Sequence, residues 1–307
     1  MSQRHDGVPT QDEVVAYLRD RSNWGRWGPD DQLGAMNLIT PAKRAEAAAL
    51  VRTGRSVSLS RDFPKTPGPG NPNPAQHWTR VMERGAGGAA IDYYGIVYHG
   101  WAATHIDALC HVWSEAGMWG GRDPAEAFDA EGARWGAIHH WRDGIVTRGV
   151  LLDVPKHRGE PFVAVDRPVH GWELEEIARA QGVALEPGDA LLVYSGREAW
   201  AAQAEGTAYG AGVSRPGLHA SCLPFIRDND VAVLVWDMMD AQPTGYDIPW
   251  TVHGVVFAYG VGLLDNALLQ PLAEACAEEG RYSFMLTVAP LPVVGGTGSP
   301  VNPIALF

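Results

Sequence analysis

Three short apolar runs do most to restrict what this chain can fold into: "TRGVLLDVP" from Thr147, "GDALLVYSG" from Gly188 and "DVAVLVWD" from Asp230. Each is bounded by turn residues and rich in Val and Leu, the pattern of strands buried on both faces. Helical patterns such as "WELEEIARAQG", Trp172 to Gly182, separate them. Strands that alternate with helices define an α/β fold. No repeat and no break in composition divides the chain, so 1–307 reads as one domain.

The first 54 residues read as a helical N-terminal extension. Thr10 with Glu13 three positions later is a capping box ahead of Val14, Val15 and Leu18. Thr40 and Pro41 open a second helix, with Gly54 as its stop. "SVSLS", Ser56 to Ser60, alternates like a strand, and "FPKTPGPGNPNPAQ" after it is a loop, a candidate lid if it borders a site.

Of the 307 residues 46% are hydrophobic, ample for a packed core. A formal charge of −12, with 24 Lys and Arg against 36 acids, speaks against a nucleic-acid groove. Cys110, Cys222 and Cys276 form neither a CxxC pair nor a disulfide framework, which suits a reducing compartment. The amino terminus has no apolar leader, and no stretch approaches the roughly 18 apolar residues that span a bilayer. The expectation is a cytoplasmic protein that acts on a small molecule, without nucleic acid or membrane.

The chemistry concentrates in "YHGWAATHIDALCHVW", Tyr98 to Trp113. On an extended strand His105 and Asp107 point to the same side and can share one ion. His111 keeps their parity but would lie roughly 13 Å from Asp107 along a straight strand, so a turn near Leu109 must return it. A buried carboxylate costs several kcal/mol unless it is paired or ligates a metal, and this segment carries no Lys or Arg. His99 alone would more often be a hydrogen-bonded core residue; beside these three it is a candidate ligand.

"THIDALCH", Thr104 to His111, resembles the THxDxxxH half of the HxGTHxDxPxH signature of the metal-dependent cyclase family, which includes bacterial kynurenine formamidases and isatin hydrolase. "WGPDDQLGAMNLITP", "GDALLVYSG" and "GTGSPVNPIA" resemble further segments of its longer members, so the likeness runs from about Trp27 to Ala305. The resemblance implies the swivelling β/β/α fold, one or two Zn or Mn ions, and a homo-oligomer, dimer or tetramer. This chain departs from the signature at the first histidine, where Trp101 stands, at the glycine, which is Ala103, and at the proline, which is Leu109. His99 is the nearest substitute ligand, and a strand bulge could restore its reach.

His253 and Asp265 are similar to the family's later His and Glu ligands, twelve residues apart and with Asp in place of Glu. On one continuous helix that spacing separates them by about 18 Å. A short helix from His253 to Tyr259, broken by Gly260 and Gly262 and returning as a strand through "LLDN", would let them converge. The shorter Asp could leave a mononuclear centre.

Other candidates are weaker. Ser195 has no nearby base and no GxSxG elbow, "GGTGSP" lacks the Lys of a P-loop, and His139 with His140 reads as a surface or packing pair. Trp24, Trp27, Trp78 and Trp101 are candidates to line a pocket for a flat substrate.

The leading expectation is a metal-dependent hydrolase that opens an amide, often cyclic or aryl-linked, or a lactone. His99, His105, Asp107, His253 and Asp265 would bind metal, His111 would take and return the proton as the catalytic residue or join the ligands, and Trp101 would contact substrate. The competing readings are a polyketide-type cyclase and a metal-binding member without catalysis.

Overall fold

The structure, a computed structural model, describes residues 7–203 and 208–307. Two helices precede the main sheet. In the first, Gln11–Asp20, the Thr10 hydroxyl accepts from the Glu13 amide and the Glu13 carboxylate accepts from the Thr10 amide, the expected capping box. Its buried face is Val14, Tyr17 and Leu18. The second, Pro41–Ala48, begins where the sequence indicates but stops six residues before Gly54. The reason is a competing acceptor: the amides of Thr53 and Gly54 both bond the carbonyl of Phe307, at 3.1 and 2.7 Å, so the chain is drawn onto the C-terminal edge of the sheet.

The strands in chain order are β1 (Ser56–Ser58), β2 (Gln76–Arg84), β3 (Gly87–Gly95), β4 (His105–Asp107), β5 (Phe128–Asp129), β6 (Gly132–Ala133), β7 (Ile145–Asp153), β8 (Ala190–Tyr194), β9 (Val233–Trp236), β10 (Gly262–Asp265), β11 (Ser283–Val288), β12 (Gly298–Pro300) and β13 (Ile304–Leu306). Nine of them build one mixed sheet in the order β1-β13-β11-β7-β8-β9-β10-β4-β12. The three apolar runs are β7, β8 and β9; they lie side by side and, with β10, are parallel. Helices Gly171–Ala180 and Cys222–Asp228 lie between them in the chain and supply the crossovers that parallel strands require.

At one end of this parallel core β4 and β12 run antiparallel to their neighbours. "SVSLS" contributes three strand residues rather than five. The proline-rich segment is a loop, as its composition dictates, but it leads into a two-stranded hairpin, β2 with β3, that the sequence reading did not foresee. All three cysteines are free and buried. Among the described residues, no helix is long and apolar enough to cross a membrane.

Candidate metal centre

The short strand β4 is buried at all three positions, flanked by β10 and β12. Register places Asp265 of β10 directly opposite His105, so the two side chains share a face with Asp107, two residues on. The strand ends at Asp107 because the Ala108 amide turns to the Thr297 carbonyl and the His111 amide bonds back to the Ala108 carbonyl at 3.0 Å. That turn through Leu109 and Cys110 returns His111 to within 3.7 Å of the Asp107 carboxylate.

His99 arrives from the loop before β4. Its Nδ1 lies 3.0 Å from Asp107 Oδ1, and its ring stacks on His111 with centroids 3.7 Å apart and planes 3° from parallel. Its Nε2 meets the Thr297 hydroxyl at 2.9 Å. Gly298 permits this approach: a Cβ there would sit 3.0 Å from the His99 ring and 2.5 Å from the Ile106 carbonyl. The "GTGSP" segment thus serves the histidines. His105 donates from Nδ1 to the Ala103 carbonyl at 2.9 Å, which leaves Nε2 facing Asp107 and Asp265 at 3.4 and 3.9 Å.

The second half converges by the route its glycines allow. A short 3-10 turn, Val252–Gly254, carries His253 into helix Val255–Tyr259, Gly260 ends it in the left-handed region at φ 70°, and β10 returns Asp265. His253 Nε2 then lies 3.4 Å from Asp265 Oδ2. Two partners went unnoticed in the sequence. Asp240 bonds His253 Nδ1, and the Trp236 indole N–H bonds the other oxygen of Asp265. Trp236 ends β9 and Asp240 follows four residues later, in an acid-rich "WDMMD" that was the one chemical hint there.

Six sequence candidates, His99, His105, Asp107, His111, His253 and Asp265, are therefore gathered in one place. Within it, among the described residues, two groups have ligand atoms all within 4.8 Å of one another: His99, Asp107 and His111, and His105, Asp107 and Asp265. Asp107 belongs to both.

The decisive detail is the state of that carboxylate. Asp107 is fully buried, and among the described residues neither of its oxygens has a hydrogen-bond partner; His99 Nδ1, 3.0 Å away, is off the hydrogen-bonding line and is also unpartnered there. Burial opposes its ionisation, yet His111, His105 and His99 hold its pKa well below the usual carboxylate range. Burial meanwhile pushes His111 down to about 4, so at neutral pH that ring is uncharged and lends Asp107 no charge. Much of the charge that Asp107 needs is then missing from the protein. Several unpaired donor atoms directed at one volume fit a divalent cation. Burial lowers and Asp107 raises the pKa of His105, with a net rise; His253 is held well above its ordinary value, against burial, by Asp240 and Asp265.

Trp101 stands beside this centre. With His99, Pro64 and Asn71 it lines a cavity of about 170 Å³. Its indole also packs on Gly210, where a Cβ would fall 2.2 Å from the ring, and the Arg215 guanidinium lies 4.5 Å from the ring centroid. The proline-rich loop borders the same cavity through Gly70 to Asn73. Ser195 Oγ is buried without a hydrogen-bond partner, which leaves it no base, and His139 accepts a bond from the Gly295 amide in a packing role.

Residues 56–243 match the family model described as "Putative cyclase". Among solved structures, the chain is similar to a crystal structure of a novel cyclase, at 29% identity and TM-score 0.83, covering 93% of this chain and 99% of that one. It shares the fold of isatin hydrolase A from Labrenzia aggregata, at 18% identity and TM-score 0.54, over 84% of this chain and 94% of that one. A potential metal-dependent hydrolase with cyclase activity is similar at 13% identity and TM-score 0.50, over 82% and 98%. A search of curated proteins returned no match.

Proposed function

Since the chain belongs to the cyclase family, we propose that it is a metal-dependent hydrolase of amide or lactone bonds, cyclic or aryl-linked, with the swivelling β/β/α fold over its single domain. The observation that carries this reading is the buried, unpartnered carboxylate of Asp107 facing three imidazoles. His99, His105, Asp107, His253 and Asp265 would hold one or two ions, Zn or Mn, since mixed imidazole and carboxylate donors suit both. When bound, such an ion polarises a carbonyl and makes water acidic enough to attack near neutral pH.

The chain's own groups would do the rest. His111, with about a quarter of its side chain exposed, can take a proton from water and return it to the leaving nitrogen or oxygen. Stacking on His99 fixes its plane. Asp240 holds the ring of His253 so that Nε2 faces Asp265. Trp101 would wall a cavity of a size that accepts roughly one aromatic ring.

The test is elemental analysis of protein purified without added metal, followed by turnover of formyl-anilides, cyclic imides and lactones after loading with Zn or Mn. Stoichiometric metal with hydrolysis of at least one class is expected. Metal without turnover of any would leave a binding protein, cyclisation of a polyketide-type chain would make it a cyclase, and protein that refuses metal would overturn the reading.

A further inference from the structure

The segment that departs from the family signature, His99 to Ala103, is gripped from behind by one side chain. β10 ends at Asp265, and the next residue, Asn266, turns into the left-handed region at φ 56°, which asparagine enters more readily than most residues. Asn266 is fully buried. Its Nδ2 donates to the carbonyl of Gly100 at 2.7 Å and to that of Ala103 at 3.0 Å, so it spans the place where Trp101 stands for the signature histidine. Its own carbonyl accepts from the Thr104 hydroxyl at 2.8 Å and from Arg61 Nε at 3.0 Å.

The Ala103 carbonyl has a second donor. His105 Nδ1 reaches it at 2.9 Å, and this is the bond that leaves Nε2 facing Asp107 and Asp265. A loop carbonyl can fix a ring only if the carbonyl is itself fixed, and Asn266 supplies that restraint. Gly100 adjoins His99, so the same amide also restrains the approach of that ring. Behind Asn266 stands Arg197, 8% exposed, whose Nη1 donates to Asn266 Oδ1 at 2.5 Å and whose Nη2 bonds the Trp101 carbonyl. A cationic donor on the amide oxygen polarises the group and strengthens both of its N–H bonds. Arg197 is placed in turn by Asp237, directly after β9, whose carboxylate accepts from the amides of Ser195, Gly196 and Arg197 at 2.8, 3.0 and 3.0 Å.

We infer that, given the metal-binding reading above, Asn266 is a positioning residue: backed by Arg197, it fixes the Ala103 carbonyl that sets the tautomer and orientation of His105, and it anchors the loop that brings His99 to the site. A residue that merely packed the loop could hold it at any point. Here the donor converges on the same oxygen as the ligand ring. Partners of this kind behind an imidazole ligand govern metal affinity by about 10- to 100-fold.

Asn266→Gly accepts the left-handed backbone and removes the amide. Titration of Co²⁺ into the metal-free protein, followed by its visible absorption, should show affinity about 10- to 100-fold weaker than in the unmodified chain, with altered bands. Gln181→Ala is the control. Gln181 also ties two backbone groups, the Leu151 carbonyl and the Asp153 amide, but beside β7, three strands from β10. That variant should melt lower yet keep Co²⁺ affinity and spectrum. A second readout needs no metal: the His105 Nδ1 proton, buried and bonded to Ala103, should give a slowly exchanging NMR signal in the unmodified protein and exchange faster in Asn266→Gly. Should Asn266→Gly fold poorly, Asn266→Asp, which keeps the shape and the Arg197 contact but has no N–H to give, should show the same losses. Unchanged affinity with an unchanged His105 signal in either folded variant, or an equal loss of affinity in Gln181→Ala, would overturn the proposal. If the unmodified protein takes up no Co²⁺, the hydrolase reading fails, and the His105 signal alone decides the role of Asn266.

Discussion

Asp107 and Asp240 are two buried carboxylates within one site, and the protein treats them oppositely. Asp240, 4% exposed, accepts from the Thr251 hydroxyl, the Val252 and His253 amides and the His253 ring. Asp107, with no exposure, accepts nothing. The same charge at the same depth is in one case satisfied by the chain and in the other left open. A fully bonded carboxylate is scaffold, and its pKa is held down to about 2 against burial, chiefly by His253. An unbonded one tolerates burial only if something outside the chain completes it.

The largest expected effect breaks this contrast at Asp107. Asp107→Ala and His105→Ala should each abolish metal retention, because each removes a donor from a site with few alternatives. Elemental analysis of each purified variant reads the result, and stoichiometric metal in either would overturn the ligand set. His99→Ala should reduce retention less, as that ring is a quarter exposed whereas His105 is buried.

Next comes a rate. His111→Ala should keep most of its metal and lose about 10²-fold or more in kcat, the scale of a missing general base. Loss of metal together with activity would reassign His111 to the ligands, alongside His99 and Asp107.

Stability without metal sharpens the contrast further. Asp107→Asn removes an uncompensated buried charge and should leave the metal-free melting temperature unchanged or higher. Asp240→Asn breaks a bonded charge pair and should cost about 3 to 5 kcal/mol. The sign with pH follows from the depressed pKa of Asp240: its stabilisation is present above the unfolded value near 3.9 and is lost as pH falls toward about 2. Acid unfolding of metal-free protein should therefore begin in that window, and Asp240→Asn should flatten it. Equal melting losses in both variants would erase the distinction.

What the sequence revealed follows the range of its signals. β7, β8 and β9 were legible because apolar runs bounded by turns are local, and His105 with Asp107 because parity on a strand is local. Gly260 and Gly262 even announced how His253 could reach Asp265. Asp240, Trp236 and Thr297 were not legible, because each is defined by a partner 13, 29 or 198 residues away and no spacing rule links them. The β2–β3 arm was missed for a different reason. Its alternation mixes Trp, Arg, Met and Gly, and a ribbon with both faces in water leaves no simple apolar-polar period. The length of the second helix failed because a carbonyl at the far end of the chain, Phe307, took the amides that would have extended it.

The smallest expected effect concerns Trp101, where the family signature has histidine and where wall and scaffold meet. Trp101→His places an imidazole where the indole packed against Gly210 and under Arg215. The smaller ring leaves a gap, and a polar atom in it without a partner costs about 1 to 3 kcal/mol. For a chain of this size that lowers the melting temperature by several degrees, at roughly 2 to 4 °C per kcal/mol. Because the same indole borders the cavity beside His99, KM should rise in the molecules that remain folded, with kcat little changed. Thermal melting and steady-state kinetics on this one variant separate the two roles. A lowered melting temperature with unchanged KM would make Trp101 scaffold alone, and a raised KM at full stability would show that Gly210 and Arg215 accommodate the exchange and that the ring's contribution is to the substrate.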